Sequence, residues 1–255
     1  MQLTILGCSG SLAAPGNPAS GYLLSNDGQP SIVMDLGPGS LAALQQVQNP
    51  SDAHVVFSHL HPDHCLDFPS LIVWRRYHPT LAATRKHHLI GPAHTVTQLG
   101  RLSADVPDEV DDHADTFDFR AWDPNETYAV GGMKLRAFAA VHPVEAYSIR
   151  VEDPATGASL CYSGDTALSD SLVDAARGVG TLLCEAGWGP SSEYKPLLMH
   201  LSGAEAGRVA REAEVGRLVL THLPPWVDPE ATAAAAREEF DGEIILAAPG
   251  MRLEI

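Results

Sequence analysis

The sequence predicts a single domain of the α/β class, because two kinds of segment alternate along its 255 residues. Short apolar runs rich in β-branched residues, bounded by turn-forming residues, have the pattern of buried strands. The segments between them carry apolar residues at helical spacing. No repeat, low-complexity run or flexible linker interrupts the alternation, so we expect one domain over residues 1–255 with a sizeable core.

The predicted strands start with LTILG and end with EIILAAPG. In chain order they cover residues 3–7, 21–25, 31–37, 54–60, 87–92, 133–142, 147–153, 159–165, 181–187, 217–223 and 243–250. The predicted helices cover residues 39–48, 68–78, 93–102, 169–178, 203–214 and 229–240. Ser169 and Ser202 are the expected cap residues of two helices, and Gly178 and Gly216 are expected stop signals.

Residues 103–127 depart from this alternation, since they are strongly acidic, contain prolines and show little periodicity. Such a composition is typical of a solvated surface excursion. A lid over a binding site is the alternative interpretation.

Composition narrows the functional class. With 45% hydrophobic and 19% charged residues the chain reads as globular, and no apolar run is long enough to span a membrane. The first residues lead directly into a predicted strand, so we expect no signal peptide and a cytoplasmic location. The cysteines form no CxxC pair, and we expect reduced core thiols at Cys8, Cys65, Cys161 and Cys184.

The charge balance bears on the partner. There are 32 acidic and 16 basic residues, and the formal net charge is -16. A charge of this sign repels polyanions at long range and argues against a large nucleic-acid partner. A small anion held by metal ions remains compatible with it.

The strongest functional signal is FSHLHPDHCLD at residues 57–67, a density of histidines that packing does not explain. Side chains two apart on an extended segment share a face, so His59 and His61 are expected to point at one ion. The turn at Pro62 directs Asp63 and His64 toward a second ion close by. The cluster follows an apolar strand, where α/β sites are commonly built.

Further ligands are expected, because zinc-like ions bind imidazole nitrogen and carboxylate oxygen. Three later residues, His142, Asp165 and His222, each stand at the end of a predicted strand. Their repeated placement makes a shared metal site the favoured interpretation.

In this order, HxHxDH and the three strand-end residues resemble the ligand set of the metallo-β-lactamase fold over essentially the whole chain. The resemblance implies a four-layer αββα sandwich with two divalent metal ions at one edge, Zn foremost, with Mn or Mg as alternatives. It assigns His59, His61 and His142 to the first metal, Asp63, His64 and His222 to the second, and Asp165 to both. Asp35, in VMDLGPG, matches an early aspartate that orients one ligand.

The finer pattern resembles the phosphodiesterase and glyoxalase-type branches, since β-lactamases commonly place cysteine where this chain has Asp165. Phosphodiester hydrolysis suits two metals, which hold a hydroxide between them for in-line attack. MHLSGAEAGRVA resembles the HST-type motif of the tRNA 3′ processing endonucleases, which implies that His200 is a proton donor. Glu185, in LLCEAGW, is its implied partner, although Cys184 replaces the histidine of that motif. We therefore expect Asp63, His200 and Glu185 to be catalytic.

The whole pattern, including LGCSGS, VWRRYHP and LTHLPPW, is similar to the actinobacterial cyclic nucleotide phosphodiesterases of this fold. The resemblance implies hydrolysis of 3′,5′-cyclic AMP, with cyclic GMP as a further substrate, to the 5′-monophosphate. The long tRNA-gripping arm of the endonucleases, inserted between the ligands equivalent to His142 and Asp165, is missing. A tRNA 3′ endonuclease, an acyl hydrolase of the glyoxalase or lactonase type, and a non-catalytic metal-binding protein remain as alternatives.

Other segments have weaker expectations. The loop at residues 8–20 is a candidate for lining the pocket through backbone amides, and Trp226 for stacking on a base, although a tight turn and a packed aromatic are the favoured interpretations. We expect Arg75 and Arg76 to lie on a solvated or dimer-facing helix surface. The related nucleases are commonly homodimers, and a homodimer is the only protein partner that we consider.

Overall fold

Two seven-stranded β-sheets form the centre of the protein. The computed structural model describes residues 1–255. Helices cover the outer face of each sheet, and apolar side chains fill the space between the sheets. The predicted α/β class and the four-layer αββα sandwich are therefore confirmed.

The first sheet has the strand order β14-β1-β2-β3-β4-β5-β6. Strands β3 to β6 are parallel neighbours, and the other neighbours are antiparallel. Its strands are β1 (Gln2–Gly7), β2 (Gly21–Ser25), β3 (Ser31–Leu36), β4 (Ala53–Val56), β5 (His87–Gly91), β6 (Phe117–Ala121) and β14 (Arg252–Glu254). The helices on its outer face are α1 (Ser40–Gln45), α2 (Pro62–Cys65), α3 (Phe68–Tyr77) and α4 (Thr95–Ser103).

The second sheet has the order β13-β12-β11-β10-β9-β8-β7. Its strands are β7 (Tyr128–Val130), β8 (Met133–Ala139), β9 (Tyr147–Glu152), β10 (Ser159–Tyr162), β11 (Thr181–Glu185), β12 (Arg217–Thr221) and β13 (Glu243–Leu246). Its outer helices are α5 (Asp170–Ala176), α6 (Gly203–Glu212) and α7 (Pro229–Arg237).

Two of the helix starts follow the predicted capping chemistry. The Ser169 hydroxyl accepts the Leu172 N–H at the start of α5. At α6, the Ser202 hydroxyl accepts the Glu205 N–H while the Glu205 carboxylate accepts the Ser202 N–H, which is a complete capping box. This capping box fixes the first residue of α6 and therefore the position of the residues just before it. The four cysteines are buried and free, as predicted.

The acidic stretch contains more order than its composition predicts. Residues 117–121 form β6, which pairs in parallel with β5, and Phe117 is buried beneath α3. The Arg76 guanidinium binds the carboxylates of Asp111 and Asp115 at 2.6 and 2.8 Å, which ties the preceding loop to α3. The prediction of a solvated surface excursion therefore does not hold for residues 117–121, because Phe117 and Phe119 alternate with charged residues at strand spacing and Phe117 is buried. The short strands β7 and β14 were also not predicted.

Arg75 corrects another expectation, since its side chain is buried rather than solvated. Its guanidinium donates to the carbonyl oxygens of Ser51 and Thr116 and to the Thr116 hydroxyl. It also lies over the Phe117 ring, 4.1 Å from the centroid. A buried guanidinium is tolerated there because backbone oxygens replace its water.

The connection between His142 and Asp165 is short. It consists mainly of β9, a tight turn and β10, which pair as an antiparallel hairpin. No additional arm extends from this side of the sandwich. None of the helices is long and apolar enough to cross a membrane.

Candidate metal centre and active site

The seven predicted ligands lie together at one edge of the sandwich. The first sheet contributes the segment after β4 and helix α2, and the second sheet contributes the residues just after β8, β10 and β12. Their ligand atoms form two groups, each within 4.8 Å, which are His59, His61, His142 and Asp165, and Asp63, His64, Asp165 and His222. Asp165 is common to both groups, so its carboxylate has the position expected of a ligand shared by two metal ions.

In the first group, three imidazole nitrogens converge. His61 Nδ1 lies 3.1 Å from His59 Nε2 and 3.0 Å from His142 Nε2. Two nitrogens bound to one tetrahedral zinc at about 2.0–2.1 Å would be about 3.3 Å apart. The spacing is therefore close to what a shared cation requires.

The second group has the same character. His222 Nε2 lies 3.3 Å from His64 Nε2 and 3.1 Å from Asp63 Oδ2. Asp165 Oδ1 lies 3.2 Å from His64 Nε2, yet it is buried and makes no hydrogen bond within the protein. Such an orphaned buried carboxylate oxygen is costly unless a cation satisfies it. The residues thus fit divalent ions, and the many imidazoles favour zinc over magnesium.

The protonation states of two carboxylates and one imidazole suit cation binding, whereas His64 must release a proton to bind a metal. Burial acts to lower the pKa of His64, but the surrounding carboxylates outweigh it and raise that pKa well above its usual range. Burial acts to raise the pKa of Asp63, but hydrogen bonds from His222 and His64 hold that pKa well below its usual range. Burial also acts to raise the pKa of Asp165, and it is outweighed by the same histidines, so this pKa is low too. Conversely, burial lowers the pKa of His142 to about 4. Ionised carboxylates beside a neutral imidazole form a donor set for a metal.

Asp35 holds His64 and the segment that carries His59. Asp35 Oδ2 lies 2.7 Å from His64 Nδ1 and accepts the Ser58 hydroxyl at 2.7 Å, while Oδ1 accepts the Ser58 N–H at 2.8 Å. The Ser58 oxygen is also 3.0 Å from His59 Nδ1. With a proton on Nδ1, each histidine presents Nε2 to the site, which is the usual arrangement around bound metals.

The backbone near His222 is tightly constrained. His222 has a φ of 56°, a left-handed conformation that is unusual for a side chain of its size. A Cβ on Gly10 would come within 2.3 Å of the His222 carbonyl oxygen, and a Cβ on Gly187 within 3.2 Å of its Nδ1 atom. Glycine is therefore required at position 10 for the close approach of this loop to the site, and a side chain at position 187 would make a tight contact.

His200 lies at the border of both groups and is paired with Glu185. Its Nδ1 atom is 3.1 Å from Glu185 Oε1 and 3.7 Å from Asp165 Oδ2. Glu185 is fully buried and also accepts the N–H groups of Thr166 and Gly187. Burial acts to lower the pKa of His200, but the negative charge of Glu185 outweighs it and raises that pKa to about 9. The Glu185 carboxylate therefore favours the protonated form of His200 beside the candidate metal centre.

The rim of the site is formed by loops. In the 8–20 loop, the Ser11 N–H lies 3.4 Å from His222 Nε2, so this loop borders the site. Trp226 lies in the loop between β12 and α7, and 69% of its surface is exposed. The expectation that it is a packed aromatic is therefore wrong, and its ring is free to contact a ligand.

Several supporting residues escaped the sequence analysis. Ser58 joins Asp35 to His59, and the Tyr162 hydroxyl donates to Asp35 Oδ2. The Tyr22 hydroxyl pairs with Thr221, the residue before His222. Each stands in a predicted strand, where a core role is the default, so the sequence held no signal for them beyond proximity to a ligand.

A family model described as a beta-lactamase superfamily domain matches residues 31–223, a range that includes every candidate ligand. The chain belongs to this superfamily. Within the superfamily, an uncharacterized protein of Mycobacterium leprae is 47% identical over 255 residues, covering 100% of this chain and 89% of that protein. The superfamily also includes the probable metallo-hydrolase YhfI of Bacillus subtilis, which is 28% identical over 98% of each chain.

The crystal structure of YhfI superposes with a TM-score of 0.88, covering 100% of this chain and 99% of that one. Ribonuclease Z of Haloferax volcanii is 26% identical over 302 residues, covering 100% of this chain and 95% of that protein. This protein thus has the metallo-β-lactamase fold and is a metallo-hydrolase of the superfamily, related to ribonuclease Z.

Proposed function

We propose that the protein is a dinuclear-metal phosphodiesterase that hydrolyses 3′,5′-cyclic nucleotides, cyclic AMP and also cyclic GMP, to 5′-monophosphates. Two divalent ions, zinc in the first instance, would be held by the two residue groups. The first would bind His59, His61 and His142, the second Asp63, His64 and His222, and Asp165 would contribute to both. Bound there, such ions activate water and neutralise charge on a phosphoryl group.

The observation that carries the proposal is the pairing of His200 with Glu185 beside these groups. Hydrolysis of a cyclic phosphodiester breaks the bond between phosphorus and O3′, joins a water-derived oxygen to phosphorus and returns a proton to O3′. An alkoxide is a poor leaving group, so a proton donor at this position accelerates the step. With Nδ1 held by Glu185, the second ring nitrogen of His200 carries the proton for O3′.

Glu185 acts on His200 through its charge, and it is itself held in place by hydrogen bonds. Its charge keeps His200 protonated, as the raised pKa of about 9 indicates. Its remaining hydrogen bonds, from the N–H groups of Thr166 and Gly187, hold the carboxylate in place against His200. Glu185 therefore acts through His200 and is not itself a ligand in this proposal.

A compact substrate is favoured over a folded RNA. The hairpin of β9 and β10 leaves no arm that could grip a distant part of tRNA, and the net charge of -16 repels a polyanion. The exposed ring of Trp226 offers a stacking surface for one base. The likeness to ribonuclease Z supports phosphodiester chemistry and makes tRNA 3′ cleavage the second candidate.

The test is a panel of substrates offered to zinc-loaded and manganese-loaded protein, with the products separated by chromatography. We expect 5′-AMP from 3′,5′-cyclic AMP, no 3′-AMP, and no product with Asp63→Ala, which removes a proposed ligand. Cleavage of precursor tRNA or of an acyl thioester, with cyclic AMP left intact, would overturn the proposal. The Asp153→Asn variant, altered in the turn between β9 and β10, is the matched control and should retain activity.

A further inference from the structure

Two buried tyrosines cross the space between the sheets in opposite directions. Tyr162 belongs to β10 in the second sheet, and its hydroxyl donates to Asp35 in the first sheet at 2.7 Å. Tyr22 belongs to β2 in the first sheet, and its hydroxyl lies 2.8 Å from the Thr221 hydroxyl in the second sheet. The two rings touch, with centroids 4.9 Å apart, and both residues are essentially inaccessible to solvent.

Each hydroxyl contacts a residue that holds or adjoins a ligand of the second candidate metal group. Asp35 holds His64 through Nδ1, and Thr221 immediately precedes His222. His64 comes from the first sheet and His222 from the second, so their separation, 3.3 Å between the Nε2 atoms, depends on how the two sheets are held. The tyrosines connect the sheets at that level.

We propose that Tyr22 and Tyr162 are positioning residues that clamp the two halves of the second metal group. The inference rests on the metal-binding part of the proposed function. Through Tyr162, the second sheet fixes the carboxylate that orients His64, and through Tyr22 the first sheet fixes the strand end that presents His222. The contact between the two rings, which are tilted by 57° to each other, couples the two connections into one unit. Of the first metal group, only His59 is reached, indirectly through Asp35 and Ser58, so this group depends on the clamp less than the second does.

Packing alone does not account for the arrangement. The core between the sheets consists otherwise mainly of aliphatic side chains such as Ile5, Met34 and Ile149. A buried tyrosine hydroxyl loses its water and gives stability only where a partner is in place. Two phenylalanines would fill the same volume, so the hydroxyls are explained by the residues that they hold.

The test is a titration of metal-free protein with Co²⁺, whose visible absorption reports the coordination of each ion, followed by Zn²⁺ competition with a chelator. The variants are Tyr22→Phe, Tyr162→Phe and the double variant, which keep both rings and remove only hydroxyls. Tyr128→Phe is the matched control, because Tyr128 is equally buried and its hydroxyl donates to Ala121, away from the site.

We expect wild type and Tyr128→Phe to bind two equivalents of Co²⁺. Each clamp variant should bind the second equivalent about tenfold more weakly, the lower end of the effect of losing a hydrogen-bonded group behind the ligands, and the first equivalent with a smaller loss. In the double variant, the loss of affinity for the second Co²⁺ should be smaller than the product of the two single losses, since the clamp acts as a unit. Two unaltered equivalents in the clamp variants, or equal loss of both, would overturn the clamp. Failure of wild type to bind Co²⁺ would instead overturn the metal centre itself.

Discussion

His64 Nδ1 and Asp35 Oδ2 lie 2.7 Å apart and are both fully buried. Asp35 reaches this position with a φ of 57°, at the end of β3. Its two oxygens accept or contact four polar groups, from Ser58, His64 and Tyr162. A carboxylate is the side chain that can serve so many donors, since it has no proton of its own to place.

Replacing Asp35 with asparagine should weaken the second metal about 10-fold to 100-fold. The amide nitrogen of Asn would face groups that are themselves donors, so at least one of them loses its partner and His64 loses its orientation. Zinc affinity measured by chelator competition checks this. Asp153→Asn is the control for the same substitution, and equal affinities in the two variants would contradict the prediction.

Glu185→Gln should shift the alkaline limb of the activity profile to lower pH. His200 acts in its protonated form, so activity falls as pH rises through its pKa, which Glu185 raises to about 9. Without the carboxylate charge that pKa drops, and the loss of activity begins at a lower pH. Rates from pH 6 to 10, at confirmed full metal content, provide the measurement. An unmoved alkaline limb would remove His200 from its role.

Gly10→Ala should displace His222 while leaving the sandwich folded. The new Cβ would lie 2.3 Å from the His222 carbonyl oxygen, a distance that real contacts do not allow. Gly180→Ala is the control, because the nearest atom to its Cβ would be 3.4 Å away. Circular dichroism should be unchanged in both variants, and only Gly10→Ala should bind a single metal equivalent. Binding of two metal equivalents by Gly10→Ala would show that the loop around residue 10 can shift without displacing His222.

A second histidine cluster, which consists of His54 and His87 and lies away from the candidate ligands, makes the free energy of unfolding depend on pH. Burial, followed by repulsion from Arg75, lowers the pKa of His87 to about 4, and burial, followed by repulsion from His87, lowers that of His54 to about 3. Below their ordinary value of 6.5 the unfolded chain binds protons that the folded protein refuses. The free energy of unfolding is therefore unaffected by these histidines well above pH 6.5, and it decreases as pH falls from 6.5 toward their folded-state pKa values of about 4 and about 3.

His87→Leu should flatten this dependence. Urea unfolding between pH 6.5 and 5 should show a slope smaller by up to about 1.4 kcal/mol per pH unit, the limit for one proton. Leucine is tolerated because His87 Nε2 is buried without a hydrogen-bond partner, and because the Arg75 Nη2 group, 3.4 Å from His87 Nδ1, also donates to the Thr116 carbonyl oxygen. Identical slopes in wild type and variant would mean that His87 binds its proton equally well in the folded and unfolded states, which would contradict the lowered pKa.

Much of the fold could be predicted because local patterns agreed with the global one. Each of the six predicted helices is present within a few residues. The strands that lead to ligands were also predicted, but each ends two to four residues earlier than expected, so that the ligands follow the strand ends. Strand β6 was missed because the surrounding acidic residues obscured the alternation of Phe117 and Phe119. Arg75 was misplaced because a sequence does not reveal that the carbonyls of Ser51 and Thr116 converge on one guanidinium.

The site divides in the same way. Ligand-type residues such as His59 and Asp165 are recognisable because their chemistry is rare and their spacing is fixed by strand ends. Tyr22 and Tyr162 were not recognisable, since a tyrosine in an apolar strand is ordinarily a core residue. Their contacts cross between sheets, over 127 residues in the case of Tyr162 and Asp35, and only the folded structure brings such pairs together.

The most direct test of the central claim compares two substrates in His200→Ala. Cyclic AMP expels an alkoxide that needs a proton, whereas bis(4-nitrophenyl) phosphate expels a stable phenolate that does not. If His200 is the proton donor at a two-metal phosphodiesterase site, hydrolysis of cyclic AMP should fall about a hundredfold or more while hydrolysis of the nitrophenyl ester stays near the wild-type rate. An equal fall for both substrates, or none for either, would contradict the account.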